Sequence, residues 1–91
     1  KNPPVATNQV VIHDYEFTPA DITVKKGTTV TWTNKDLVAY TVVEDDGQTG
    51  GPASSPIPKD QTYSFKFAKS GLFHYHNSLD PNMTGTVTVT E

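Results

Sequence analysis

The sequence predicts an all-β sandwich of about seven or eight strands, and three observations predict it. Apolar and polar residues alternate with a period of two through most of the apolar segments, the mark of strands buried on one face. β-Branched and aromatic residues fill those segments, and clusters of Gly, Pro, Asn and Asp divide them. No stretch of ten or more residues carries a helical period.

The strands are justified in order. Gln9–His13 holds Val10, Val11 and Ile12, and Asp21–Lys25 carries Ile22 and Val24 at period two. In Thr28–Asn34, Val30 and Trp32 alternate with threonines. Tyr40–Val43 is short and β-branched. Thr62–Phe67 sets Tyr63, Phe65 and Phe67 against polar residues, and Leu72–Asn77 alternates aromatics with histidines. Thr84–Thr90 closes the chain with Val87 and Val89 between threonines. Turn signals lie at Lys26-Gly27, Asp46-Gly47, Gly50-Gly51-Pro52 and Ser70-Gly71. Gly27 and Gly71 suit turns that need positive φ. Glu44 to Asp60, rich in Gly, Pro, Ser and Asp, reads as a long surface loop. Trp32, Phe17, Phe65, Phe67 and Phe73 are expected in the core. Residues 1–8 read as an N-terminal linker or trimmed terminus, and residues 9–91 as one domain.

Composition narrows the function classes. There is no cysteine, so neither a disulfide nor a thiol nucleophile is available. Ser54, Ser55, Ser64, Ser70 and Ser78 lie in no nucleophile motif, so no enzyme is expected. Ten acids against seven bases give a net charge of −3 with no basic cluster, which leaves nucleic-acid binding without support. No apolar run approaches the roughly 18 residues of a membrane span. The chain is expected to be monomeric.

Two segments resemble a known family. Phe17, Pro19, Val24, Gly27, Val30, Trp32, Asn34 and Asp36 stand in the frame F-x-P-x-x-x-x-V-x-x-G-x-x-V-x-W-x-N-x-D. Gly71 to Gly85, reading GLFHYHNSLDPNMTG, is similar to Y-H-C-x-x-H-P-x-M-x-G. Both belong to the cupredoxins, the blue-copper domains of the plastocyanin and amicyanin type. The resemblance implies a Greek-key sandwich, a copper site at one end of the sheets, electron transfer and an extracytoplasmic location, with any export signal or lipid anchor upstream.

Three of the four expected ligand positions depart from the family. Asn77 stands at the cysteine, Asp80 at one histidine and Tyr40 at the other, while Met83 is retained. Type 1 copper needs a thiolate and two imidazoles with a weak axial thioether. A phenol, an amide, a carboxylate and a thioether are a poor substitute, so no cofactor is expected and tight copper binding is not. Tyr40, Asn77 and Asp80 are instead expected to hydrogen-bond one another. Replacement of this kind suits natural loss and deliberate engineering equally.

Two further metal readings follow from the residues. His74 and His76 share the outward face of their strand and can chelate Zn(II) or Cu(II), with His13 a third ligand if its strand lies nearby. Asp80, or Glu44-Asp45-Asp46-Gly47, can offer oxygens to a hard cation such as calcium. The functions to separate are a copper-free scaffold or module for a protein partner, an electron-transfer copper protein, and a domain binding Zn, Cu or Ca elsewhere.

Overall fold

A computed structural model describes residues 3–91. Alternation in the sequence becomes nine strands among the described residues: β1 (Val5–Ala6), β2 (Gln9–His13), β3 (Glu16–Thr18), β4 (Asp21–Lys25), β5 (Thr28–Asn34), β6 (Val43–Glu44), β7 (Thr62–Phe67), β8 (Gly71–Asn77) and β9 (Asp80–Thr90). They form two sheets, ordered β1-β4-β9-β8-β6 and β3-β2-β5-β7. Both sheets are mixed. β4 runs parallel to β1 and β9, and β2 parallel to β5, while β8 is antiparallel to β6 and β9 and β5 antiparallel to β7.

The inward faces carry the residues that the period-two pattern selects. Val10, Ile12, Val30, Trp32 and Phe67 come from one sheet; Ile22, Phe73, Tyr75, Val87 and Val89 come from the other. Aromatic rings join the sheets, edge to face at Tyr75 and tilted at Phe73. Tyr75 meets Phe17 at 4.8 Å between centroids and Trp32 at 5.4 Å, and Phe73 meets Phe67 at 5.3 Å. Such pairs add to the burial of their own area. Phe65 is only partly buried, against the edge of this core. Burial pushes the Tyr75 phenol above its ordinary range.

Five features differ from the sequence expectation. Val5–Ala6 pairs in parallel with Ile22–Thr23, so sheet pairing begins inside the segment read as linker. Glu16–Thr18 forms a hairpin with β2 through Asp14-Tyr15, both at positive φ (54° and 59°), a two-residue turn without the usual Asn-Gly signal. The expected strand Tyr40–Val43 shrinks to bridges from Tyr40 to Ile57 and Val43 to Ala53, with β6 beginning only at Val43. Glu44 to Asp60 is therefore no simple surface loop. It folds back on residues 40–43, and Pro52 and Ile57 are buried there. β9 also starts four residues earlier than expected, so Asp80 to Met83 belong to a strand. Gly27 and Gly71 do carry positive φ.

Gly85 needs its missing side chain for a different reason. A Cβ there would collide with the ring and hydroxyl of Tyr75 and lie 2.8 Å from the Ala20 carbonyl oxygen. Gly85→Ala is expected to destabilise the domain by about 1–3 kcal/mol, as overpacked cores do. Urea unfolding measures it, and an unchanged midpoint would remove Tyr75 from its central place in the core.

Candidate functional site

The end of the sandwich near Asn77 is built where β8 turns into β9. Asn77 ends the inward row Phe73, Tyr75, Asn77 and is 2% exposed. A register shift lies between His76 and Asn77, and Asn77 pairs with Asp80 across the turn. The side-chain oxygen of Asn77 accepts three hydrogen bonds, from the Thr41 N–H (3.1 Å), the Thr41 hydroxyl (3.0 Å) and the Leu79 N–H (3.1 Å). Two of these donors are backbone groups, which fixes the amide orientation. Its Nδ2 then faces the Met83 sulfur at 3.6 Å. Thr41 gives its one hydroxyl proton to Asn77, so Ser78 donates to Thr41 Oγ1 through both its hydroxyl (2.9 Å) and its N–H (2.7 Å).

Tyr40 is buried beside this group but turns its hydroxyl elsewhere. It donates to Asp36 Oδ2 at 2.6 Å and accepts from the Tyr15 N–H at 3.3 Å. Asp36 also accepts from the Asp14 N–H (3.0 Å) and the Leu37 N–H (2.8 Å). Asn34 completes the corner. Its side-chain oxygen accepts from the Asp36 N–H at 2.7 Å, and its amide donates to the Val38 and Ile57 carbonyls, each at 2.8 Å. Burial, then the bond to Asp36, pushes the Tyr40 phenol up to about 12. The Tyr40 hydroxyl, then the Leu37 N–H, holds the Asp36 carboxyl below its ordinary value.

Tyr40, Asn77 and Asp80 therefore do not form the mutual network expected of them. Asn77 is satisfied by Thr41 and Leu79, and Tyr40 by Asp36 and Tyr15. Asp80 is half-buried and accepts only from the Asn82 N–H, at 3.3 Å, among the described residues. Asn77 and Met83 do come together. The residues missed by sequence reasoning are Asp36 and Thr41. Asp36 stood in the quoted Asn34-x-Asp36 frame, but its reach to Tyr40 depends on the loop path.

The other metal expectations separate in the same way. His13 lies on β2, in the opposite sheet from His74 and His76, and sits 3.8 Å from Asp14. Glu44 accepts from the Gly51 N–H, while Asp45 bonds His76. Among the described residues no three His, Cys, Asp or Glu side chains converge as a metal cage. A cleft beside Met83, lined also by Tyr15, Glu16 and Asn82, offers one carboxylate and neither an imidazole nor a thiol.

Three exposed apolar side chains ring the cluster. Tyr15, Leu37 and Leu79 are 60%, 82% and 65% exposed. The backbone N–H of each donates into the cluster, to Tyr40, Asp36 and Asn77 respectively. The backbone of each is thus anchored to the cluster while its side chain stays exposed.

Residues 2–89 match the family profile for a cupredoxin-like domain. The chain belongs to the cupredoxin family. It is similar to amicyanin of Paracoccus denitrificans, at 33% identity over 82 residues, 88% of this chain and 63% of that protein. It thus spans less than two thirds of that relative's length. Plastocyanin of Scenedesmus fuscus is 33% identical over 85 residues, 80% of this chain and 85% of that one. A purple cupredoxin from Nitrosopumilus maritimus superposes with a TM-score of 0.83 at 28% identity, over 92% of this chain and all of that one. This cupredoxin differs from the expected donor set, because Tyr40, Asn77, Asp80 and Met83 offer neither a thiol nor an imidazole, and the Asn77 oxygen is already filled by three donors. These residues do not fit type 1 copper.

Two outcomes test this geometry. Asn77→Ala leaves the Thr41 and Leu79 N–H groups without an acceptor and is expected to cost about 1–3 kcal/mol in urea unfolding. Asn77→Asp, which keeps an acceptor, is expected to cost less; equal losses would deny the oxygen its role. Tyr40→Phe is read against pH. The raised Tyr40 pKa contributes stability in full below its ordinary value of about 10 and loses it as pH rises through about 12. The lowered Asp36 pKa contributes above its ordinary value of about 3.9 and is lost as pH falls through its folded value. The advantage of the unaltered protein over Tyr40→Phe should therefore be flat near neutral pH and narrow at both extremes. A constant difference would break the Tyr40–Asp36 pairing.

Proposed function

We propose that this cupredoxin domain has lost its type 1 copper site and acts as a non-redox scaffold or interaction module for a protein partner, in an extracytoplasmic protein. The observation that carries the reading is the saturated Asn77 oxygen, buried between Thr41 and the Met83 sulfur in a chain without cysteine. Tyr40, Asn77 and Asp80 are taken as the former ligand positions and Met83 as the retained one. Asn77 and Tyr40 have committed their polar atoms to protein donors and acceptors. An incoming ion would have to break those bonds and recover their cost from weak neutral donors and one carboxylate.

The apolar rim supports the module half of the reading. Tyr15, Leu37 and Leu79 are exposed, and the backbone of each is anchored to the cluster. Exposed apolar side chains gathered at one end of a small domain are what a protein partner covers. No thiolate is present to give the strong charge-transfer band or the covalency that electron transfer through type 1 copper relies on.

Absorption spectroscopy with added Cu(II) tests the reading. The unaltered domain is expected to show no intense visible band. The triple variant Tyr40→His, Asn77→Cys, Asp80→His is expected to recover a coloured copper site on the retained Met83. An intense band from the unaltered protein overturns the loss of the site, and a folded but colourless triple variant overturns the assignment of the four positions.

A further inference from the structure

The outward face of β8 carries a second cluster, on the opposite side of the strand from Asn77. His74 and His76 lie two residues apart there, with Cα atoms about 6.6 Å apart at strand rise. His74 is exposed and His76 is half-buried, at 23% side-chain exposure. Neighbouring residues 45–48 hold both. The Gln48 side chain acts as a piece of added strand: its Nε2 donates to the His74 carbonyl at 2.7 Å, and its Oε1 accepts from the His74 N–H at 2.9 Å. The Asp45 N–H also donates to the His74 carbonyl, at 3.0 Å. The backbone under His74 is thus fixed on both its polar groups.

The His76 ring is fixed as well. Its Nδ1–H donates to Asp45 Oδ1 at 2.7 Å. A carboxylate accepts this bond, so the neutral ring carries its proton on Nδ1 and its lone pair on Nε2. Neither His76 Nε2 nor either ring nitrogen of His74 has a hydrogen-bond partner among the described residues. A carboxylate behind an imidazole, with the far nitrogen free, is the arrangement that orients histidines toward metals and raises their basicity.

We propose that His74 and His76 chelate one divalent transition-metal ion that prefers imidazole, with Cu(II) held more tightly than Zn(II), and that Asp45 is the positioning residue for His76. The preference follows from two imidazole nitrogens on a sheet surface and the order of affinities among first-row divalent ions. Water fills the remaining positions, since no third His, Cys, Asp or Glu converges on the pair among the described residues. The site is independent of the loss of type 1 copper. It shares no side chain with Asn77 and Met83, and it gives a weakly absorbing complex without a thiolate band.

Titration of the purified domain with copper(II) sulfate, followed by calorimetry and electron paramagnetic resonance, tests the site. One equivalent is expected to bind saturably, with nitrogen couplings from two imidazoles. His74→Ala and His76→Ala are each expected to abolish that uptake. Asp45→Asn is expected to weaken it about 10–100-fold at unchanged stoichiometry, as loss of an orienting carboxylate does. Circular dichroism of the metal-free variants checks folding, and His74→Gln with His76→Gln replaces any alanine variant that fails it. Met83→Leu is expected to leave uptake unchanged. Absence of saturable uptake by the unaltered protein overturns the proposal, as does uptake that survives loss of both histidines. Uptake removed by Met83→Leu but not by the histidine changes overturns this site and the reading of the sandwich end together.

Discussion

The side-chain oxygen of Asn77 ties together the end of the sandwich on which the proposed loss of copper depends. It is a single buried acceptor with three donors, two of them backbone N–H groups from different segments. In a low-dielectric interior such an acceptor is costly to leave empty and effective when filled. It fastens Thr41 to the β8–β9 turn, and the Thr41 hydroxyl then holds Ser78. The stretch from Asn34 to Thr41 is thus fixed at both ends, by Asn77 at one and by the Asn34 side chain at the other.

A second clamp depends on that fixed stretch. Asp36 and Tyr40 lie within it and reach together to the Asp14–Tyr15 turn, where two non-glycine residues sit at positive φ. Left-handed conformations in such residues cost energy, and the two N–H bonds from the turn offset part of it. In the proposed reading, hydrogen bonds join the segments that carry the former ligand positions. Each is worth only about 0.5–1.5 kcal/mol net, yet together they join the segments without needing an ion.

Much of the fold was legible because alternation is a local signal. β2, β4, β5, β7 and β8 appear at or within one residue of their expected bounds, and Phe73, Tyr75 and Asn77 point inward while His74 and His76 point outward. The misplaced short strands share one cause. β1, β3 and β6 have only two or three residues each, too few for a period to show, and exist because a longer neighbour offers pairing. At the sandwich end the inward placement of Asn77 was legible, but the hydrogen-bond partners were not. Asn77 and Met83 meet because one hairpin carries both. Tyr40 meets Asp36 rather than Asn77 because the path of residues 36–40, held by Asn34, turns the phenol toward the β2–β3 turn. No sequence spacing encodes that path.

The same strand can serve two chemistries because its two faces are isolated from each other. Inward, Asn77 is enclosed and saturated; outward, the ring nitrogens of His74 and the Nε2 of His76 remain open. The shift in register after His76 lets the inward residue turn toward β9 without disturbing the outward pair. β6 is only two residues long, so the backbone of β8 at His74 would lie at an open sheet edge. Gln48 and Asp45 cover that edge with hydrogen bonds, which removes a pairing hazard. Covering the edge also brings the Asp45 carboxylate to the His76 ring. The histidine geometry is therefore a consequence of how the sheet ends, and it persists whether or not the interior of the sandwich holds copper.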